Sequence, residues 1–185
     1  VSLPRGRSQL FQAVATYSDG STQAVSSGVT WTATDVMGTS VIALSTGGLA
    51  VASGLGEARV QAQYAGKSAT AAVTVTAAVL DHIDLSPQRP VLEPAASQQL
   101  TLIATRSDAT TQDVTASATF SATDVAPATS VITLSSGGLA TAKNLGRAKV
   151  SATYLGLRAE TEVAVSRARV ASLFCSVDTA GKAEV

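Results

Sequence analysis

A chain of 185 residues has room for one or two small domains. Its 13 basic and 13 acidic side chains cancel, and charged residues are only 14% of the total, so nothing here suits nucleic acid or an anionic membrane. One cysteine, Cys175, excludes a disulfide within the chain, and no apolar run is long enough to span a bilayer.

From the N-terminus onward, alternation with period two dominates. Phe11, Ala13 and Ala15 alternate with Gln12, Val14 and Thr16, which predicts a strand whose first set faces in. Ser18-Asp19-Gly20-Ser21 is a hairpin turn. Val29, Trp31 and Ala33 face in on the next strand, with Trp31 as the bulk of the core. Short strands follow near Val41–Leu44 and Leu49–Ala52. A turn at Gly54 leads to a strand with Ala58, Val60, Ala62 and Tyr64 inward, and Gly66 turns the chain into Ala69, Ala71, Val73 and Val75. Gln23–Gly28 and, further on, Asp113–Ser117 are the two places where a helical turn is expected.

The pattern then begins again. Gly47–Tyr64 returns as Gly137–Tyr154, and Ala33-Thr34-Asp35-Val36 returns unchanged as Ala122-Thr123-Asp124-Val125. Phe120 stands for Trp31, Val150 for Val60, Tyr154 for Tyr64 and Val163 for Val73. These eight residues are the predicted core of the two copies. The offset is 89 up to Asp35 and 90 from Val41, so one residue is inserted between them. Roughly half of the aligned positions are identical, which makes this one unit used twice. A period of that length is a small domain, able to bury about 60–65% of its unfolded surface. Gly54 is replaced by Asn144, the best substitute for glycine in the left-handed region, so a positive φ is expected at both. Gly20 is replaced by Ala109, so that turn is expected not to need one.

The expected architecture is therefore all-β: two tandem sandwiches of about seven short strands each, over residues 1–77 and 78–166. Copy two opens with a strand at Leu80–Ser86 whose match in copy one would precede Val1, so the first domain lacks its own first strand. The join holds no glycine, and no proline before Pro87, which predicts a stiff connection. Strands of about ten residues give each domain a length on the order of 35–40 Å. Residues 167–185 form an extra strand or the start of a third unit. Arg169–Ser176 follows copy two as Leu80–Ser86 follows copy one, so the chain reads as a piece of a longer array. In an alternative reading Val170, Leu173, Phe174 and Cys175 form a strand-donation interface with the next chain.

Four stretches together resemble the bacterial Ig-like domain of group 2. They are Val29–Asp35, Gly48-Leu49-Ala50, Leu55–Ala62 and Tyr64–Val75, and both copies carry them over nearly their full length. The resemblance implies immunoglobulin-type sandwiches without the inter-sheet disulfide. It implies a place in intimin- and invasin-like adhesins, other surface proteins or virion proteins, and it brings no catalytic residue.

The residues themselves offer little chemistry. No nucleophile–base pair is evident, no cofactor or metal is expected, and the one histidine, His82, lies at the join. Asp19, Asp35, Asp108 and Asp124 recur in register and are expected to bond the backbone two residues on. A calcium site using Asp81 or Asp84 would need more oxygen ligands than the sequence clusters there. Gly47-Gly48 and Gly137-Gly138 lack the features of a phosphate loop. A carbohydrate-binding module would need an exposed aromatic platform, for which Tyr17 is the outward candidate. The expectation is a non-enzymatic structural and adhesion module, extracellular, on a cell surface or virion. Its partners would be neighbouring repeats, copies of itself or a host receptor, with no nucleic acid and no membrane insertion.

Overall fold

The computed structural model describes residues 1–167. Apart from a turn of 3-10 helix at Thr115–Ser117, all of their regular structure is β-strand. They divide into two compact units: Val1–Asp84 with Leu102–Val114, and Leu85–Thr101 with the residues from Thr115 onward.

In the first repeat, β1 (Ser2–Pro4), β9 (Lys67–Thr76), β8 (Gly56–Tyr64) and β5 (Thr30–Met37) form one sheet in that order, with β1 parallel to β9. A second sheet has the order β2 (Ser8–Leu10), β7 (Leu49–Ala52), β6 (Ile42–Leu44), and β3 (Ala13–Thr16) pairs with β4 (Thr22–Val25). The β8–β9 hairpin turns at Ala65-Gly66, both at positive φ, as a two-residue turn between twisted strands requires. Opposite faces alternate strictly along β8: Ala58, Val60 and Ala62 are buried while Arg59, Gln61 and Gln63 are exposed. Val60 and Val73 pack with Val41, Ile42, Ala50 and Ala52 in one cluster, so the two sheets close over each other.

The second repeat uses the same order. β11 (Val91–Leu92), β19 (Leu157–Val165), β18 (Gly146–Tyr154) and β15 (Thr119–Val125) form one sheet, with β11 parallel to β19. β12 (Ser97–Gln99), β17 (Leu139–Ala142) and β16 (Ile132–Leu134) form the next. The third has an extra member: β10 (Leu80–Ser86), then β13 (Thr101–Arg106), then β14 (Thr111–Asp113). Val131, Val150 and Val163 are fully buried.

Several expectations need correction. Neither Gly54 nor Asn144 has a positive φ. Gly54 is needed for close approach, because a Cβ there would lie 2.6 Å from the carbonyl oxygen of Thr39 and 3.0 Å from that of Ser40. Asn144 meets the matching carbonyls differently: its Nδ2 donates to Thr129 O and Ser130 O, each at 3.2 Å. Ala109 does adopt a positive φ, 63°, as Gly20 does at 80°, so this turn needs the left-handed conformation and alanine bears the strain. Asp19 and Asp108 accept from the backbone two residues on, at Ser21 and Thr110. Asp35 and Asp124 instead reach across a loop to the amides of Val41 and Val131, each at 3.1 Å. The stretch expected to turn helically in copy one holds strand β4, whereas Thr115–Ser117 in copy two does form a 3-10 turn. Ala33 and Ala122 are exposed rather than inward, and Trp31, Tyr64, Phe120 and Tyr154 are half-buried.

Candidate functional site

The feature that sets the first repeat apart is the edge of β3. In the second repeat β13 has a neighbour on each side. Ser107 N donates to Val79 O at 2.8 Å on the β10 side, and Val114 N donates to Leu102 O at 2.9 Å on the other. In the first repeat β3 has only β4 among the described residues. Antiparallel pairing alternates, and Tyr17 N bonds Ser21 O at the closed end. Ala13 and Ala15 therefore direct their amides to β4, and Val14 and Thr16 direct theirs outward.

Burial follows the same difference. Leu100, Leu102, Ala104 and Val114 are all buried, as are Ile83 and Leu85 on β10. Their counterparts Phe11, Ala13, Ala15 and Val25 are only half-buried. On β9, Ala69 is exposed and Ala71 half-buried, whereas Thr161, the match of Ala71, is buried. Between β3 and β9 runs a groove of about 510 Å³ floored by Trp31 and Val60. Its lining is mostly apolar. Alternation along β3 does not show this groove. The signal for it was the exchange of Leu102 for Ala13, which removes bulk from a position that alternation marks as inward.

The charged groups do other work. Within the first unit the Arg5 guanidinium pairs with Asp108, its Nε donating at 2.8 Å, and Ser107 Oγ donates to Arg5 O at 2.6 Å. The Asp108 side chain is 7% exposed. Hydrogen bonds from Thr110, then from Arg5, hold its carboxyl down to about 2. Asp81 pairs with Arg7 and accepts from His82, whose other nitrogen lies 3.3 Å from Asp84. His82 and Arg7 hold the Asp81 carboxyl below its ordinary range. Among the described residues no three His, Cys, Asp or Glu side chains come together as a metal site. On β18 and β19, Glu160 lies 2.6 Å from both Lys149 and Arg158, and Arg147 lies 3.1 Å from Glu162. Such exposed pairs contribute little to stability. Tyr17 is 44% exposed, and no second exposed aromatic accompanies it among the described residues. Val170, Leu173, Phe174 and Cys175 lie outside the described residues.

Residues 79–155 match the sequence model of the bacterial Ig-like domain, group 2. The second repeat is a bacterial Ig-like domain of group 2. Among the described residues the first repeat has the strand order of the second, except that no strand corresponds to β10. The chain is 31% identical over 172 residues to ice-binding protein 1 of Shewanella frigidimarina, a match that covers 93% of the chain and 18% of that protein's length. Among solved structures it is similar to domains 4 and 5 of the S-layer protein SbsC, at 14% identity and a TM-score of 0.41, over 83% of this chain and 80% of that one. It is also similar to repeats EC1-4 of Drosophila N-cadherin, at 14% identity and a TM-score of 0.40, over 89% and 46%. No described helix is long and apolar enough to cross a membrane.

Proposed function

We propose that this chain is a non-enzymatic, extracellular structural module: tandem Ig-like domains that form part of a stiff rod in a bacterial surface protein or virion appendage. The observation that carries this reading is the repeated strand order across a join of three residues, since β9 ends at Thr76 and β10 begins at Leu80. The Ig-like family match and the 31% identity with ice-binding protein 1, of which this chain spans 18%, support it. Its partners are neighbouring repeats of the same kind, or a receptor at the rod's end. Small-angle scattering of the monomer tests this. A rod has a maximum dimension of about twice 35–40 Å, and a flexible pair gives a broad distribution without that limit.

A second reading is head-to-tail assembly, in which the C-terminal segment of one chain enters the first repeat of the next. One observation favours it: β3 is paired on one side only, beside an apolar groove.

A further inference from the structure

We infer that the free edge of β5 is a self-association surface, and that its occupant is β5 of a second copy of this chain, set antiparallel about a two-fold axis through Ala33. Side-by-side pairing of this kind does not rest on the rod reading.

Hydrogen-bond direction can be followed across the sheet one strand at a time. Thr74 N donates to Val1 O at 2.8 Å, so Thr74 turns its backbone away from β8. Its neighbours Val73 and Val75 therefore bond Ala58 and Gly56, the residues opposite them. By alternation Arg59, Gln61 and Gln63 face β5, where they meet Thr34, Thr32 and Thr30. That leaves Trp31, Ala33 and Asp35 with their amides and carbonyls directed off the sheet. β5 is the last strand of that sheet, and among the described residues none of those backbone groups has a partner.

Edges are ordinarily kept from pairing by shortness, lysine, proline or a bulge. β5 runs for eight residues, against four in β4 and three in β6. It carries no lysine and no proline, and its register shift falls between Asp35 and Met37, past the regularly paired residues 30–35. Residues 32–37 are all exposed, including Ala33, which alternation places on the inner side. The edge is thus open from both faces. The matching strand β15 is less accessible: Asp124 is half-buried, and its carboxylate holds the amides of Ser130 and Val131.

Residues 31–35 suit a copy of themselves. An antiparallel copy centred on Ala33 sets Ala33 against its own equivalent, Thr32 against Thr34, and Trp31 against Asp35. Threonine pairs are favourable across strands, and Asp35, the one charge in this stretch, is kept from facing its own equivalent. The outward groups at Trp31, Ala33 and Asp35 are spaced by two, so the pairing makes about six backbone hydrogen bonds. It joins two four-stranded sheets edge to edge. The contact is isologous and closes at a dimer. One strand from each side buries less than the about 1,200 Å² of a stable complex, so the dimer forms only at high concentration.

Proline at Ala33 tests this, because a strand tolerates proline where the amide faces outward. Sedimentation equilibrium on the whole 185-residue chain, from micromolar to millimolar concentration, reads the mass, and thermal melting checks the fold. The unaltered chain should pass from monomer to dimer and no further. Ala33→Pro should melt cooperatively and stay monomeric. Ala122→Pro, at the matching place on β15, should dimerise as the unaltered chain does. If Ala33→Pro does not fold, charge on the two-fold axis decides. Ala33→Lys and Ala33→Glu each set like charges opposite one another and should each weaken pairing about fivefold, whereas an equimolar mixture of the two should pair at least as well as the unaltered chain.

Pairing through β5 is ruled out if the unaltered chain stays monomeric at millimolar concentration, or if Ala33→Pro folds and still dimerises. It is equally ruled out if Ala122→Pro folds and alone abolishes the dimer, or if the mixture pairs no better than either charged variant. The rod reading is tested on the monomer, which dilution supplies, so either idea can fail alone.

Discussion

Leu85→Ala is the sharpest probe of how an added strand is held. Leu85 is 2% exposed on β10, which sits at the edge of its sheet next to β13. The substitution removes three carbons, worth about 2.4 kcal/mol at about 0.8 kcal/mol each. A cavity term adds to this, but an edge strand can settle inward and close part of the space. The expected cost is therefore about 3 kcal/mol, in the lower half of the range for buried leucine truncations. Leu10→Ala serves as the control, because Leu10 is 52% exposed. It should cost less than about 1 kcal/mol. Urea unfolding followed by far-ultraviolet circular dichroism reads both, with comparable slopes expected for the two variants. A loss for Leu85→Ala no greater than that for Leu10→Ala would refute the idea that β10 is anchored by side-chain burial.

Gly54→Ala should destabilise by about 1–3 kcal/mol, because the new Cβ would press on the Thr39 carbonyl; chemical denaturation checks it. Asn144→Ala should cost about 1–2 kcal/mol through two lost hydrogen bonds, with no steric component. Asp108 has a folded-state value of about 2 against an ordinary 3.8, so its contribution is fully present above the ordinary value and fades as the pH falls toward 2. The melting temperature of Asp108→Asn should lie below that of the unaltered chain at neutral pH, and the gap should narrow across that acid window. Glu160→Gln should leave the urea midpoint almost unchanged, since its partners Lys149 and Arg158 are exposed.

Alternation made the inward face of β8 and the tail of β9 legible from the sequence, because each has one wet side and one dry one. The end of β10 was legible at Pro87, which cannot donate to a strand ladder. What could not be read was conformation set by neighbours distant in the chain. Gly54 looks like a turn residue in one dimension, yet it is dictated by a carbonyl fifteen positions earlier. Ala109 at positive φ is tolerated because Asp108, anchored by Thr110 and Arg5, fixes the turn around it. The exposure of Ala33 and Ala122 also escaped the pattern, since alternation says which side a residue faces and not what covers that side. The same limit hid the groove. Phe11 and Ala15 alternate as core residues do, and only the layout of strands reveals that one flank is uncovered.

Amide hydrogen exchange by NMR tests the one-sided pairing of β3 most directly. The amides of Val14 and Thr16 should exchange at nearly the rate of an unstructured peptide, while those of Ile103 and Thr105, facing β10, stay protected. Equal protection at both pairs would contradict an edge of β3 left open in the first repeat.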